Sequence, residues 1–377
     1  MRPKNFAFWL GSIAIAGLLG PASAAQPASK SGTAPCLGFG CPIQPAAQAP
    51  AKSATTAPDK PYDWKASFAS YPMGTVPRTP DGKPDLQGIW SRSILTPVER
   101  PGNESDKLEY DSSLRAELED AAQQRQFDLR TEPTNTPPGE KTTDAYNTFW
   151  RDGYWFKVPL TSLRTSQVVD PPDGRLPPLT PAARRQREHA DELLNRVATG
   201  PEDRPPSSRC TRPVGVGPAF NGSGPGGQES TLEIVQSPQS VVVRVEALRS
   251  QMIYLDGRPR PPDSVHLETG AARGHWEGDT LVVEYTNFAA DEDGTARKRL
   301  TERFKRLDDT HLLYGYTMDD PGTRTKPYSI EFVMWRLTDQ EQLVEYACHE
   351  GNVNLEFTLS GARTRDREEA EAEQQVK

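Results

Sequence analysis

The sequence predicts a mainly β protein: an antiparallel meander closing into a barrel or sandwich, with two helices inserted near its N-terminal part. Three observations carry this. Val241, Val243 and Val245 alternate with Val242, Arg244 and Glu246, and Leu281, Val283 and Tyr285 alternate with Val282, Glu284 and Thr286. A period of two turns one strand face to a core and the other away from it. Short turn segments join neighbouring candidates: Asp256-Gly257, Glu277-Gly278-Asp279, Asp308-Asp309 and Asp339-Gln340. Proline makes up 36 of 377 residues, against a usual ~5 %, which leaves room for few long helices.

The elements follow in order. Pro84 to Ser91 reads as the opening strand, introduced by a turn. Leu114, Leu118, Ala121 and Ala122 share one helical face, with Asp111 or Ser112 as cap. Thr180 caps a second helix with Pro181 in its first turn; Ala190, Leu193, Leu194 and Val197 form its stripe, and Gly200-Pro201 stops it. Tyr154-Trp155-Phe156 and Ser166 to Asp170 read as short strands between the helices. Later strands are expected at Leu232 to Gln236, Gln251 to Leu255, Leu300 to Leu307, His311 to Thr317, Tyr328 to Leu337 and Leu343 to Cys348. About eight strands after residue 230 are enough for closure, which removes exposed edges.

The ends are different in kind. Arg2 and Lys4 precede an apolar run from Phe6 to Leu19 and then Pro21-Ala22-Ser23-Ala24, the order of a secretory signal cleaved after Ala24. The run is shorter than the ~20 residues of a spanning helix, so no membrane insertion is expected after cleavage. Residues 1–24 are therefore assigned as signal peptide, 25–80 as a disordered Pro/Ala-rich tether, 81–361 as the β-rich domain and 362–377 as a charged tail. Loss of Arg2 and Lys4 takes 44 basic residues to 42 against 52 acidic ones, a net charge of −10. That surface argues against nucleic acid as partner. The expected location is periplasmic or secreted.

Four cysteines in an exported chain read first as disulfides. Cys36 and Cys41 lie close together in the tether, while a Cys210–Cys348 bond would close a long loop in the domain. A metal site or a nucleophilic thiol is the alternative, and neither has the usual spacing partners. No metal or cofactor is expected.

Gly88-Ile89-Trp90 resembles the Gly-x-Trp signature of lipocalin-type barrels. That resemblance implies a lipocalin-like barrel whose interior holds a small, often apolar ligand. Arg164-Thr165-Ser166, Asp170 to Arg175, Gly274 to Val283 and Tyr346 to Asn352 resemble an uncharacterised family of exported bacterial proteins. This second likeness spans residues 80 to 361 and implies no activity.

The chemical candidates are few. His349 beside Glu350, where a strand runs into a glycine turn, offers an acid/base pair; ordinary turn residues are the plainer reading. Arg164 and Arg273 are candidate anchors for a polar ligand group, and Trp276 and Tyr314 are aromatic walls for a ring. Asp81-Gly82-Lys83, Asp173-Gly174-Arg175 and Asp256-Gly257-Arg258 place a basic residue after a turn dipeptide, most simply as turns. The glycine-rich stretch Gly215 to Gly227 leads into a strand, which excludes a nucleotide loop at a helix start.

The expected function is an extracytoplasmic small-molecule-binding or accessory β-barrel. The alternative is a periplasmic hydrolase, lyase or isomerase in which His349 and Glu350 work on a small apolar or ring-containing substrate. A third reading is a structural partner for an envelope protein.

Overall fold

The computed structural model describes residues 62–104, 107–131, 159–204, 209–210, 231–245, 250–289, 298–338, 343, 349–350 and 353–376. The strands are β1 (Gly88–Ser91), β2 (Val168–Asp170), β3 (Thr231–Gln236), β4 (Ser240–Val245), β5 (Ser250–Tyr254), β6 (Ala271–Glu277), β7 (Thr280–Thr286), β8 (Arg299–Arg306), β9 (His311–Asp319) and β10 (Tyr328–Arg336). They pair in the order β1-β3-β4-β5-β6-β7-β8-β9-β10, and β1 then pairs with β10. The result is a closed nine-stranded barrel, one of the two arrangements, barrel or sandwich, expected from the period-two pattern. β2 shares the edge of β10 with β1: Val168 and Asp170 pair near Ser329, while Trp90 and Ser91 pair with Arg336 and Trp335.

One join departs from the antiparallel meander. β5 and β6 run parallel, through Tyr254↔Arg273. Pro259, Pro261 and Pro262 lack the N–H that a returning hairpin strand needs. The chain from 255 to 270 instead runs back to the end where β5 began, so β6 starts there too.

Inward positions alternate as expected. Leu232, Ile234, Val241, Val243, Val245, Ile253, Leu281, Val283, Phe304, Leu312, Phe332 and Met334 are buried in one cluster. Each such side chain contributes about 1.5–3 kcal/mol by leaving water. One end of the lumen is sealed by Trp90 and Arg306. The Trp90 Nε1 donates to the Leu86 carbonyl at 3.0 Å. Arg306 donates to the carbonyls of Asp308 at 2.9 Å and Asp309 at 2.8 Å, and to that of Asp85. Gly88 sits at φ +133 with the Arg336 Nε 3.0 Å from where a Cβ would stand, which accounts for the glycine of Gly88-Ile89-Trp90.

Packing begins before residue 81. Helix α1 (Trp64–Ala69) is capped by Asp63, which accepts from Lys65 N and Ala66 N. Phe68 and Tyr71 bury against Leu307, Leu313 and Val333 on the outer barrel wall. Composition assigns residues 62–71 to the tether because a segment with so few apolar residues cannot form a core alone; it completes one here by borrowing a wall. Lack of a side chain at Gly315 admits the Phe68 ring, 3.0 Å from the Cβ position.

The two inserted helices are present. Asp111 caps a 3-10 turn (Ser112–Leu114) leading into α2 (Arg115–Thr131). Thr180 caps α3 (Pro181–Asn195), its Oγ1 accepting from Ala183 N at 3.2 Å. The expected stripe of α3 is not a core face, since Ala190 and Val197 are exposed and Ala183 is the buried residue. The helix is attached by its first turn, where Thr180 Oγ1 donates to the Gly322 carbonyl at 2.8 Å. The charged tail belongs to a helix, α4 (Val353–Val376), with Ala362 buried. Tyr154-Trp155-Phe156 and the strand expected at Leu343 to Cys348 lie outside the described residues, apart from Leu343 itself.

Candidate ligand site inside the barrel

On β8 the inward phase reads Leu300, Glu302, Phe304, Arg306, so β8 places one carboxylate in the lumen. Glu302 has no exposed surface. Tyr285 on β7 donates to its Oε2 and Tyr314 on β9 to its Oε1, each at 2.6 Å. Hydroxyl-to-carboxylate bonds of this length are charge-assisted and roughly twice as strong as neutral ones. Burial raises the Tyr314 hydroxyl well above its ordinary 10.0, and the neighbouring Glu302 charge adds to the shift. Tyr316 is raised by burial and by Tyr328, while the Arg92 guanidinium opposes the shift. The Tyr314 and Tyr316 hydroxyls therefore stay protonated through the physiological range.

The aromatic rings run on continuously from this carboxylate. Tyr314 lies 5.1 Å from Phe304, 5.2 Å from Phe332 and 6.0 Å from Tyr316, centroid to centroid. Tyr316 meets Tyr328 edge-on at 6.1 Å. Tyr285 stacks with Phe288 at 6.5 Å. At the end of the barrel away from Trp90, Lys298 pairs with Asp320 at 3.3 Å and lies over the Phe288 ring. The lumen thus has a sealed end and a polar, tyrosine-rich half.

Of the residues singled out from sequence, Tyr314 is in this layer. Arg164 is outside the barrel, 3.8 Å from the fully buried Glu331 carboxylate and over the Tyr71 ring. Arg273 is held by backbone carbonyls, of Ala272 at 2.7 Å, Pro259 at 2.8 Å and Arg258 at 3.2 Å. Trp276, also on β6, packs half-buried against the core beneath the Lys83 ammonium. The four residues are therefore not brought to one place. His349 and Glu350 occupy an exposed turn before α4. Cys210 is disulfide-bonded; no complete pair is seen among the described residues, and Cys36, Cys41 and Cys348 lie outside them. Gly82, Gly174 and Gly257 all have positive φ, so the three Asp-Gly-basic segments are turns.

Sequence reasoning placed Tyr285 on a buried strand face but missed Glu302 and Arg92. The signal was present: in Leu300-Thr-Glu302-Arg-Phe304, a carboxylate stands at the phase of two core residues. Together the fold and this layer define a closed β-barrel whose largely apolar interior holds one buried carboxylate between two tyrosines. No family model matches the chain, and no curated protein or solved structure is significantly similar to it.

Proposed function

We propose that the protein is an extracytoplasmic small-molecule-binding β-barrel, periplasmic or secreted, with its ligand held in the tyrosine-rich half of the lumen. The observation that carries this is the Glu302 carboxylate, fully buried between Tyr285 and Tyr314 inside a barrel sealed at its other end by Trp90 and Arg306. Small barrels either fill their interior with apolar side chains or hold one small ligand. A buried charge is a poor device for stability, since well-packed apolar residues serve as well or better, and this supports a recognition role. Export is supported by the N-terminal signal pattern and by the disulfide at Cys210, because such bonds persist in oxidising compartments. The likeness to exported bacterial proteins is consistent with that location.

The test is a thermal-shift screen of the mature chain against envelope metabolites, repeated with Glu302→Gln, Tyr314→Phe and His349→Ala. A ligand at 100 times its Kd stabilises by about 2.7 kcal/mol, which a melting curve resolves. Stabilisation that falls in the Glu302 and Tyr314 variants and persists in the His349 variant is expected. No stabilising compound, or one indifferent to Glu302 and Tyr314, overturns the reading. Nothing in the described geometry favours acid/base chemistry at His349 and Glu350.

A further inference from the structure

Helix α4 runs on well past the point where it is packed. Ala362, 2 % exposed, is its last buried residue among those described, and the helix continues to position 376, about 21 Å further at 1.5 Å per residue. Every described side chain along that extension is exposed. A helical segment of this length is marginal without packing, and no basic residue stands in its last turn to meet the helix dipole.

One stripe of α4 is built to be covered. Phe357, Gly361, Arg365, Glu368 and Ala372 are all exposed and fall within about 80° of one another around the axis. Phe357, at 65 %, is the most exposed large apolar side chain among the described residues. A glycine inside a helix is less favourable than an alanine, and a Cβ at Gly361 would meet nothing within 4 Å. No described neighbour therefore requires its missing side chain. Arg365 and Glu368 enter no ion pair among the described residues, whereas Arg363 pairs with Asp366 at 3.2 Å and Arg367 donates to Thr364 at 3.1 Å.

These charges complement themselves in one arrangement. A parallel pair of such helices sets Arg365 against Arg365 and Glu368 against Glu368, which repels. We propose that α4 pairs antiparallel with the α4 of a second copy of this chain, centred between positions 366 and 367. Arg365 of each copy then faces Glu368 of the other, Gly361 faces Ala372, and the other copy's final helical turn covers Phe357. The small residues allow the axes to approach to the near end of the usual ~8–10 Å range, and the contact is isologous, so it closes at two copies. Because exposed ion pairs are individually weak and screened by salt, the dimer is weak and dissociates as ionic strength rises.

The experiment is sedimentation equilibrium of the mature chain, from about 1 μM to about 500 μM, at low salt and at about 1 M salt. Wild type is expected to dimerise reversibly and to weaken in high salt. Arg365→Glu and Glu368→Arg, each alone, weaken the dimer at least about ten-fold by setting like charges face to face. The double variant Arg365→Glu/Glu368→Arg returns to within about three-fold of wild type. An equimolar mixture of the two single variants associates as tightly as the double variant. That mixture separates contact between copies from an ion pair within one helix, which no mixing restores, and from misfolding of either variant. A monomer at every concentration, a dimer indifferent to both single reversals, or a mixture no tighter than its components overturns the assignment.

Discussion

The guanidinium of Arg306 lies over the indole of Trp90, 5.3 Å from the ring centroid, while its nitrogens donate to the carbonyls of Asp85, Asp308 and Asp309. One side chain thereby seals the barrel and ties the entry to β1 to the turn between β8 and β9. Arg306→Met leaves three carbonyls without their donor and is expected to cost about 2–4 kcal/mol. Arg306→Lys recovers little, because a single ammonium does not reproduce the planar fork. Urea unfolding checks both, and a loss below about 1 kcal/mol for the Met variant would remove the sealing role.

Glu331 holds the N-terminal segment to the outer wall. It accepts from Tyr62, from Ser67 at 2.8 Å and from Tyr71 at 3.2 Å, with Arg164 at 3.8 Å. Glu331→Ala orphans these donors and is expected to cost about 2–4 kcal/mol. Hydrogen exchange should rise first across residues 62–71 while β7 and β8 stay protected. Uniform exchange across the barrel would show that the segment is not a separable unit.

Alkaline pH should weaken the fold. Tyr314 and Tyr316 are raised well above 10.0, chiefly by burial, and burial raises Tyr62 and Tyr71 as well. A tyrosine held above its unfolded value keeps its proton in the native state while the unfolded chain loses it. The native state then binds more protons than the unfolded one, so stability is full below about pH 10 and falls above it. Unfolding midpoints compared at about pH 8 and pH 11, with tyrosinate absorbance followed in parallel, test this. Ionisation of all tyrosines in the folded protein near pH 10 would contradict it.

The bond at Cys210 is expected to join Cys348. A loop of that length contributes on the order of 4 kcal/mol through the unfolded state. Peptide mapping of the non-reduced protein should find the two linked. A Cys210 peptide joined to Cys36 or Cys41 would refute the pairing.

Much of the barrel was legible because alternation is local. Val241 to Val245 and Leu281 to Tyr285 need only their own pleat to show which face is buried, and Thr180-Pro181 needs only its own first turn to start a helix. Other features depend on residues far apart in the chain. The parallel join of β5 to β6, the docking of α1 on Leu313 and Val333, and the exposure of Ala190 on α3 follow from which surfaces meet after closure. A helical stripe states which side could be buried and not whether anything covers it.

The site divides in the same way. The sequence alone determined that Tyr314 belongs to a strand, and it carried, unread, the shared phase of Glu302 with Leu300 and Phe304; Gly88-Ile89-Trp90 offered a resemblance to a barrel's opening strand. Only the tertiary structure decided that Tyr285 and Tyr314 reach Glu302 from flanking strands and that Arg306 rather than another arginine covers Trp90. Strand phase is a property of neighbours in sequence, whereas contact across a barrel is set by register and closure, which are written in many residues at once.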